Sequence, residues 1–168
     1  MKNKRDSAKS SASPEALSQL AVFSLDEERY AIDIHVIKEI IRPLKITSLP
    51  GAPGFIEGVV NLRGEVIPVI DMRKRFDLPP REEYQNRLII VRVEDQWVGI
   101  EVDSVSEVIR IPAKDIKPPP KVVGGEGGRY VEGVCKHGDE LVILLNLDNI
   151  LSTEEKIRLK ELHADSTA

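Results

Sequence analysis

The sequence has few of the residues on which many redox and ligand sites depend. Its 168 residues include one cysteine, three Phe, three Tyr and one Trp. A single cysteine excludes an intrachain disulfide and is typical of a protein in a reducing cytoplasm. So few aromatic side chains argue against a base-stacking platform for nucleic acid and against a carbohydrate site.

The sequence also lacks long apolar runs and long blocks of like charge. The longest apolar run, 141–145, is far shorter than the roughly 20 residues of a membrane-spanning helix. The N-terminal region has no apolar stretch of signal-peptide length. Lys and Arg number 24 against 28 Asp and Glu, a net charge of −4. We therefore expect a cytoplasmic protein with no direct membrane insertion and no nucleic-acid partner.

Val and Ile, in contrast, are abundant, at 17 and 18 residues. Their stiff, β-branched side chains favour strands over helices. The Ser- and Lys-rich residues 1–17 have almost nothing to bury, so they are predicted to form a disordered tail.

An internal repeat organises the rest of the chain. Residues 20–43 align with 88–111 at an offset of 68, and residues 55–76 align with 130–151 at an offset of 75. Identities number 5 of 24 plus 4 of 22, or 9 of 46, and apolar residues match apolar residues at most other positions. The offsets differ by seven residues, which fall in the stretch PPPKVVGGEGG, where a loop tolerates insertion.

Each copy contains five short segments typical of strands, joined by tight turns, with a short helical turn expected near 36–41. The sequence therefore predicts an all-β fold of two five-stranded barrels that share a core, because barrels of this size are marginal alone. A capping-box pattern at Ser152–Glu155 predicts a C-terminal helix. The expected boundaries are a domain over 18–162, with a first barrel mainly at 26–86, a second mainly at 87–151, a helix at 153–162 and a tail at 163–168.

No constellation of residues indicates catalysis or metal binding. Cys135 and His137 lie two apart on a predicted strand, so a small hydrolase that uses them is a distant alternative. Their counterparts in the first copy are Val60 and Leu62, which indicates that Cys135 fills an apolar position. The three histidines are scattered without metal-ligand spacing. We expect a binding module with no enzymatic activity, no cofactor and no metal.

Positions at which the copies differ are candidates for acquired function. Arg63, at a predicted hairpin tip, aligns with Gly138, whereas Glu39 aligns with an identical Glu107. Arg63 is either a solvated turn residue, or a residue that is presented to a partner or paired with Glu39. Pro68, inside a predicted strand, lacks a ladder donor and therefore predicts an edge strand or a bulge.

Four segments together resemble the CheW family of chemotaxis coupling proteins. They are GVVNLRGEVIPVIDMRKRF at 58–76, LAVFSLDEERYAIDIHVIKEI at 20–40, VGIEVDSVSEVI at 98–109 and LVILLNLDNIL at 141–151. The resemblance implies two SH3-like barrels and a non-catalytic adaptor. Such an adaptor links the cytoplasmic tip of methyl-accepting chemotaxis receptors to the regulatory domain of the histidine kinase CheA. It implies a protein that is monomeric when isolated, and a coupler of a non-flagellar chemosensory pathway would look the same.

The resemblance also assigns roles to particular residues. The receptor-binding residues it implies are Ile37, Glu39, Arg63, Leu88 and Ile89, with Glu39 and Arg63 as an ion pair beside an apolar groove. The kinase-binding residues it implies are Gly58, Lys121 and Val122, at the barrel ends.

Overall fold

The structure, a computed structural model, describes residues 16–80, 86–119 and 129–167. The first copy of the repeat forms β1 (Leu17–Leu25), β2 (Glu28–Asp33), β3 (Ile37–Ile41), β4 (Gly58–Leu62) and β5 (Glu65–Asp71), followed by the short helix α1 (Met72–Arg75). The second copy forms β6 (Arg87–Val93), β7 (Gln96–Val102), β8 (Ser104–Pro112), β9 (Val131–His137) and β10 (Glu140–Leu145), followed by helix α2 (Thr153–Thr167).

The ten strands form two five-stranded sheets, each built from both copies. Sheet A has the order β8-β1-β2-β10-β9, and sheet B has the order β3-β6-β7-β5-β4. The all-β prediction is confirmed. The division expected at residue 87, however, does not separate the two sheets, since each copy contributes two strands to one sheet and three to the other. An alternating apolar pattern shows that a segment is a strand but not which strand it pairs with.

The two sheets are equivalent strand by strand. Each contains one parallel pair, β2 with β10 in sheet A and β7 with β5 in sheet B. The outer strands of each sheet do not join in a continuous ladder. Isolated bridges lie beside them instead, Thr47 to Val59 in sheet B and Lys117 to Val134 in sheet A. The sheets are thus SH3-like rather than fully closed barrels.

Pro68 has a visible effect on the parallel pair of sheet B. The strand β5 lies between β7 and β4, so it is not the edge strand that Pro68 predicted. Its ladder with β7 begins only at the next residue, Val69, which pairs with Gly99. In sheet A the equivalent ladder starts two positions earlier, at Val142. An internal strand accommodates the proline because the ladder starts after the residue that has no N–H.

Three apolar clusters hold the fold together. The largest lies between the sheets and takes buried residues from both, among them Phe23, Ile89 and Ile100. Each sheet also has its own smaller cluster, which includes Cys135 in sheet A and Leu88 in sheet B. The predicted shared core is confirmed. It includes a run of aromatic contacts in which neighbouring ring centroids lie 5.4 to 5.9 Å apart, Phe23–Tyr30–Phe76–Tyr130.

The segment between β2 and β3 differs from the expected helical turn at 36–41. A single 3₁₀ turn covers Ile34–Val36, where the Asp33 carboxylate accepts a hydrogen bond from the His35 N–H. The residues that follow extend at once into β3. Their β-branched side chains suit a strand better than a helix.

Helix α2 starts at the predicted capping box. The Glu155 N–H donates to Ser152 Oγ at 3.1 Å, and the Ser152 N–H donates to the Glu155 carboxylate at 2.9 Å. The helix continues through Thr167, beyond the expected end at 162, and buries Leu159 in the central cluster. No helix in the described parts of the chain is both long and apolar enough to cross a membrane.

Candidate functional site

The tight hairpin between β4 and β5 places Arg63 at one end of sheet B. Arg63 and Gly64 both have positive φ angles, 52° and 90°. This is the backbone of a two-residue hairpin turn whose twist matches the flanking strands. The Asn61 side chain accepts a hydrogen bond from the Gly64 N–H at 2.8 Å and thereby braces the turn.

Two ion pairs join this hairpin to β3. The Arg63 guanidinium contacts the Glu39 carboxylate, and Lys38 Nζ lies 3.7 Å from the Glu65 carboxylate. The side chain of Arg63 is 65% exposed, and that of Glu39 is 25% exposed. We call this set, Lys38, Glu39, Arg63 and Glu65, the charged end of sheet B. Exposed pairs contribute only about 0 to 1 kcal/mol, so stability alone does not account for it.

Trp97 extends the charged end and was missed by the sequence analysis. Lys38 Nζ lies 5.0 Å from its ring centroid, and the Arg92 guanidinium carbon lies 5.9 Å from it. Both distances fit cation–π contacts. The counterpart of Trp97 in the first copy is Arg29. The comparison of the two copies therefore contained the signal, since the sole tryptophan stands where the other copy has a cation.

The apolar residues assigned to a receptor groove do not all reach the surface. Leu88 and Ile89 are 1% and 0% exposed. Strand β6 lies between β3 and β7, and its side chains enter the sheet B cluster and the central cluster alternately, so neither face is free. Both side chains are therefore buried in the unbound protein, and their receptor role stays a prediction. Ile37 is partly buried against the central cluster, and the exposed apolar residue beside Glu39 is Ile40.

Gly58, assigned to kinase binding, has a clear architectural role. A Cβ atom there would lie 2.5 Å from the Thr47 carbonyl oxygen. Its counterpart Gly133 is similarly confined, with the Lys117 oxygen 2.9 Å from a Cβ. Both glycines allow a close backbone crossing that the two copies share. Lys121 and Val122, the other two residues assigned to the kinase, lie outside the described residues.

A cluster of three carboxylates, Glu57, Asp71 and Glu101, lies elsewhere on sheet B. One oxygen atom from each lies within 4.8 Å of the others, close enough to share a cation. The pKa of Asp71 is raised, mainly by burial and next by the negative charge of Glu57. The pKa of Glu101 is also raised, mainly by burial and next by the negative charges of Asp71 and Glu57. Lys74 Nζ lies 2.8 Å from Glu57 and supplies positive charge. The sequence analysis missed the cluster because strand pairing joins residues distant in sequence.

The hydrolase alternative finds no support. Cys135 is buried in the sheet A cluster, and burial raises the pKa of its thiol. An activated cysteine has a lowered pKa and an accessible sulfur atom. The imidazole of His137 instead lies at the surface, with Nε2 3.5 Å from the Glu107 carboxylate.

The end of sheet A repeats the charge pairing of the charged end of sheet B. Glu107 and Glu140 are the counterparts of Glu39 and Glu65 in the alignment. Glu107 faces His137, and Glu140 lies 2.8 Å from Arg29 Nε. The acidic positions are therefore common to both sheets, and the cations differ. The β4–β5 hairpin of sheet B has a permanently charged arginine, Arg63, at its tip, whereas the equivalent β9–β10 hairpin of sheet A has Gly138 there.

Comparison with known proteins gives one consistent result. The family model described as "CheW-like domain" matches residues 19–155. A chemotaxis protein CheW from Treponema pallidum is 38% identical over 149 residues, covering 86% of this chain and 88% of that protein. One from Helicobacter pylori is 36% identical and covers 83% of this chain and 85% of its own. The crystal structure of a scaffolding protein, TtCheW from Thermoanaerobacter tengcongensis, superposes with a TM-score of 0.76 at 40% identity, covering 83% of this chain and 96% of that one.

Proposed function

The chain belongs to the CheW-like family of chemotaxis scaffolding proteins, and from that membership we propose that it links receptors to a kinase. The proposed partners are the cytoplasmic tip of methyl-accepting receptors and the regulatory domain of the histidine kinase CheA. The chain acts in the cytoplasm by binding alone and catalyses no reaction. It is a monomer until it meets these partners.

The charged end of sheet B is the observation that supports receptor docking. Arg63 is largely exposed, yet its direction is set by the hairpin turn and by its contact with the less exposed Glu39. A side chain held in one orientation loses little entropy when a partner binds. Because a guanidinium has five N–H donors, Arg63 retains donors for a carboxylate or carbonyl group of a partner.

Strand β3, which contains Glu39, adds an apolar side chain and an outer strand edge beside the ion pair of Glu39 and Arg63. Strand β3 is an outer strand of sheet B, and among the described strands it pairs with β6 alone. Ile40, next to Glu39, is an exposed apolar residue of this strand. An edge strand with an exposed apolar side chain beside an oriented arginine suits a protein partner rather than a small ligand. We therefore assign receptor binding to Ile37, Glu39, Ile40 and Arg63.

The kinase is proposed to bind at the opposite end of the same hairpin. Gly58 begins β4, and Arg63 follows its end. At about 3.3 Å per residue, the two positions lie roughly 16 Å apart along the strand. An adaptor requires two separate contact surfaces of this kind, one for each partner. Gly58, with Lys121 and Val122, is the proposed kinase contact.

The test compares Arg63→Ala with Arg110→Ala, an exposed arginine of β8 in sheet A. Isothermal titration calorimetry measures binding to a receptor cytoplasmic fragment and, separately, to the kinase regulatory domain. We expect Arg63→Ala to weaken receptor binding about tenfold or more, as the loss of a central contact does, and to leave kinase binding unchanged. Arg110→Ala should change neither. Equal receptor affinities for the two variants would contradict the assignment.

A further inference from the structure

A buried ion network lies where the chain crosses from sheet B to sheet A. One guanidinium nitrogen of Arg73 lies 2.7 Å from the Asp103 carboxylate and 2.8 Å from the Asp26 carboxylate. Arg73 Nε also donates a hydrogen bond to the Pro79 carbonyl oxygen at 2.8 Å. The side chains of Arg73 and Asp103 are 11% and 4% exposed. One arginine thus binds three acceptors, of which the Asp103 carboxylate is almost fully buried and the Asp26 carboxylate is 41% exposed.

The members of this network belong to different sheets. Arg73 is in α1, which follows β5 of sheet B, and Asp26 is in the turn between β1 and β2 of sheet A. Asp103 lies between β7 of sheet B and β8 of sheet A. It is fastened to sheet A twice, because its N–H donates to the Ser24 carbonyl oxygen and its carboxylate accepts from the Asp26 N–H at 2.7 Å. The network therefore connects the two sheets through side chains.

The other crossing between the sheets is built differently. The chain passes from sheet A to sheet B at Ile34–Val36, where the contacts of the exposed His35 are local ones with Asp33. The nearest equivalent link joins Glu94, in the turn between β6 and β7, to Lys156 of α2 at 3.5 Å. That pair is a single, more exposed contact. Within the described residues the repeat is thus asymmetric, because a largely buried ion pair, Arg73 with Asp103, lies at one of the two crossings.

Buried ion pairs contribute little net stability, but they form only when the charged groups have a well-defined relative position. Their desolvation cancels much of their attraction, and well-packed apolar residues often serve stability as well or better. The arginine fork, however, meets several acceptors in only one orientation. We propose that Arg73 is a positioning residue that fixes the placement of sheet B relative to sheet A. Since the proposed receptor and kinase surfaces depend on that placement, this second consequence rests on the proposed function.

The test measures the distance between the sheets directly. Spin labels are attached at Val66→Cys in sheet B and Val108→Cys in sheet A, both exposed, with the buried Cys135 replaced by Ala. Pulsed electron paramagnetic resonance gives the distribution of distances between the two labels. It is measured in four backgrounds: the parent, Arg73→Lys, the double change Arg73→Met with Asp103→Leu, and the control Lys156→Met. Circular dichroism establishes that each variant is folded at the temperature used.

We expect the distribution to broaden or shift in both Arg73 backgrounds and to stay as in the parent for Lys156→Met. The double change is decisive, because it removes the buried charges together and is expected to recover thermal stability without recovering the distance. A parent-like distribution in the double change and in Arg73→Lys would overturn the proposal. The measurement needs no partner, so it tests the positioning role even if the proposed function fails. In unlabelled protein, Arg73→Lys should also lower receptor affinity about tenfold.

Discussion

The replacement Gly58→Ala is expected to destabilise the protein strongly, because the added methyl group would overlap the backbone of Thr47. The added Cβ would lie 2.5 Å from the Thr47 carbonyl oxygen and 2.7 Å from Ile46 Cγ2. An ordinary contact between carbon and oxygen is about 3.3 Å, so the backbone of Thr47 must move by close to 1 Å. That backbone is held by two hydrogen bonds with Val59, both 2.8 Å long.

The magnitude follows from the parts that this movement disturbs. Losing or lengthening two backbone hydrogen bonds costs about 1 kcal/mol each, and overpacking adds about 1 to 3 kcal/mol. The lower chain entropy of alanine in the unfolded state returns about 0.4 to 1 kcal/mol. The net loss is therefore about 2 to 5 kcal/mol. In a protein of this size each kcal/mol lowers Tm by about 2 to 4 °C, so we expect a decrease of roughly 4 to 20 °C.

Urea unfolding, monitored by circular dichroism, measures this loss of stability. The equivalent replacements at two other glycines serve as controls. Gly54→Ala adds a Cβ that meets nothing within 4 Å, so its stability should stay within about 0.5 kcal/mol of the parent. Gly133→Ala should be intermediate, because its closest contact, at 2.8 Å, is the side chain of Ile116. If Gly58→Ala were as stable as Gly54→Ala, the architectural reasoning would fail. If the variant also lost kinase binding while still folded, the partner role of Gly58 would gain support.

Three further outcomes are expected. Glu101→Gln should raise the free energy of unfolding at neutral pH by about 0.5 to 1 kcal/mol, because Glu101 faces the like charge of Asp71 across the β5–β7 ladder. Since the folded-state pKa of Glu101 is raised, the gain should vanish as pH falls to the ordinary value for a glutamate, about 4.3, and urea titrations across pH check this. Cys135 should resist thiol reagents in the native protein and react after unfolding, as a colorimetric thiol assay would show; fast native labelling would contradict its burial. Glu39→Gln should change stability by less than about 1 kcal/mol yet weaken receptor binding, because Arg63 loses its orientation; unchanged affinity would count against that role.

Several local features could be predicted from short stretches of sequence. The turn at Arg63 and Gly64 and the capping box at Ser152–Glu155 depend on residues within four positions of one another, and both are present. The repeat indicated five strands per copy, and the structure has five per copy. The receptor role of Glu39 and Arg63 came from the family resemblance and stays a prediction, although the two side chains do meet.

Residue burial was harder to predict where a strand is covered on both faces. Leu88 and Ile89 belong to the apolar run 88–91, and a continuous run of this kind is typical of such a strand. The signal was therefore present, but the family resemblance favoured a groove. Burial on both faces follows from the position of β6 inside sheet B and from the packing of sheet A against it.

Side-chain patterns and backbone preferences over a few residues are enough to predict most of the strands, the tight turns and the duplication, although β3 was expected to be a helical turn. The tertiary structure alone decided how the strands are shared between the sheets, and so which side chains meet. The carboxylates of Asp71 and Glu101 face each other through the parallel pairing of β5 and β7, and Arg73 reaches Asp103 only because the sheets pack together. Such contacts depend on hydrogen bonds between distant segments, and every strand offers the same backbone groups to any partner.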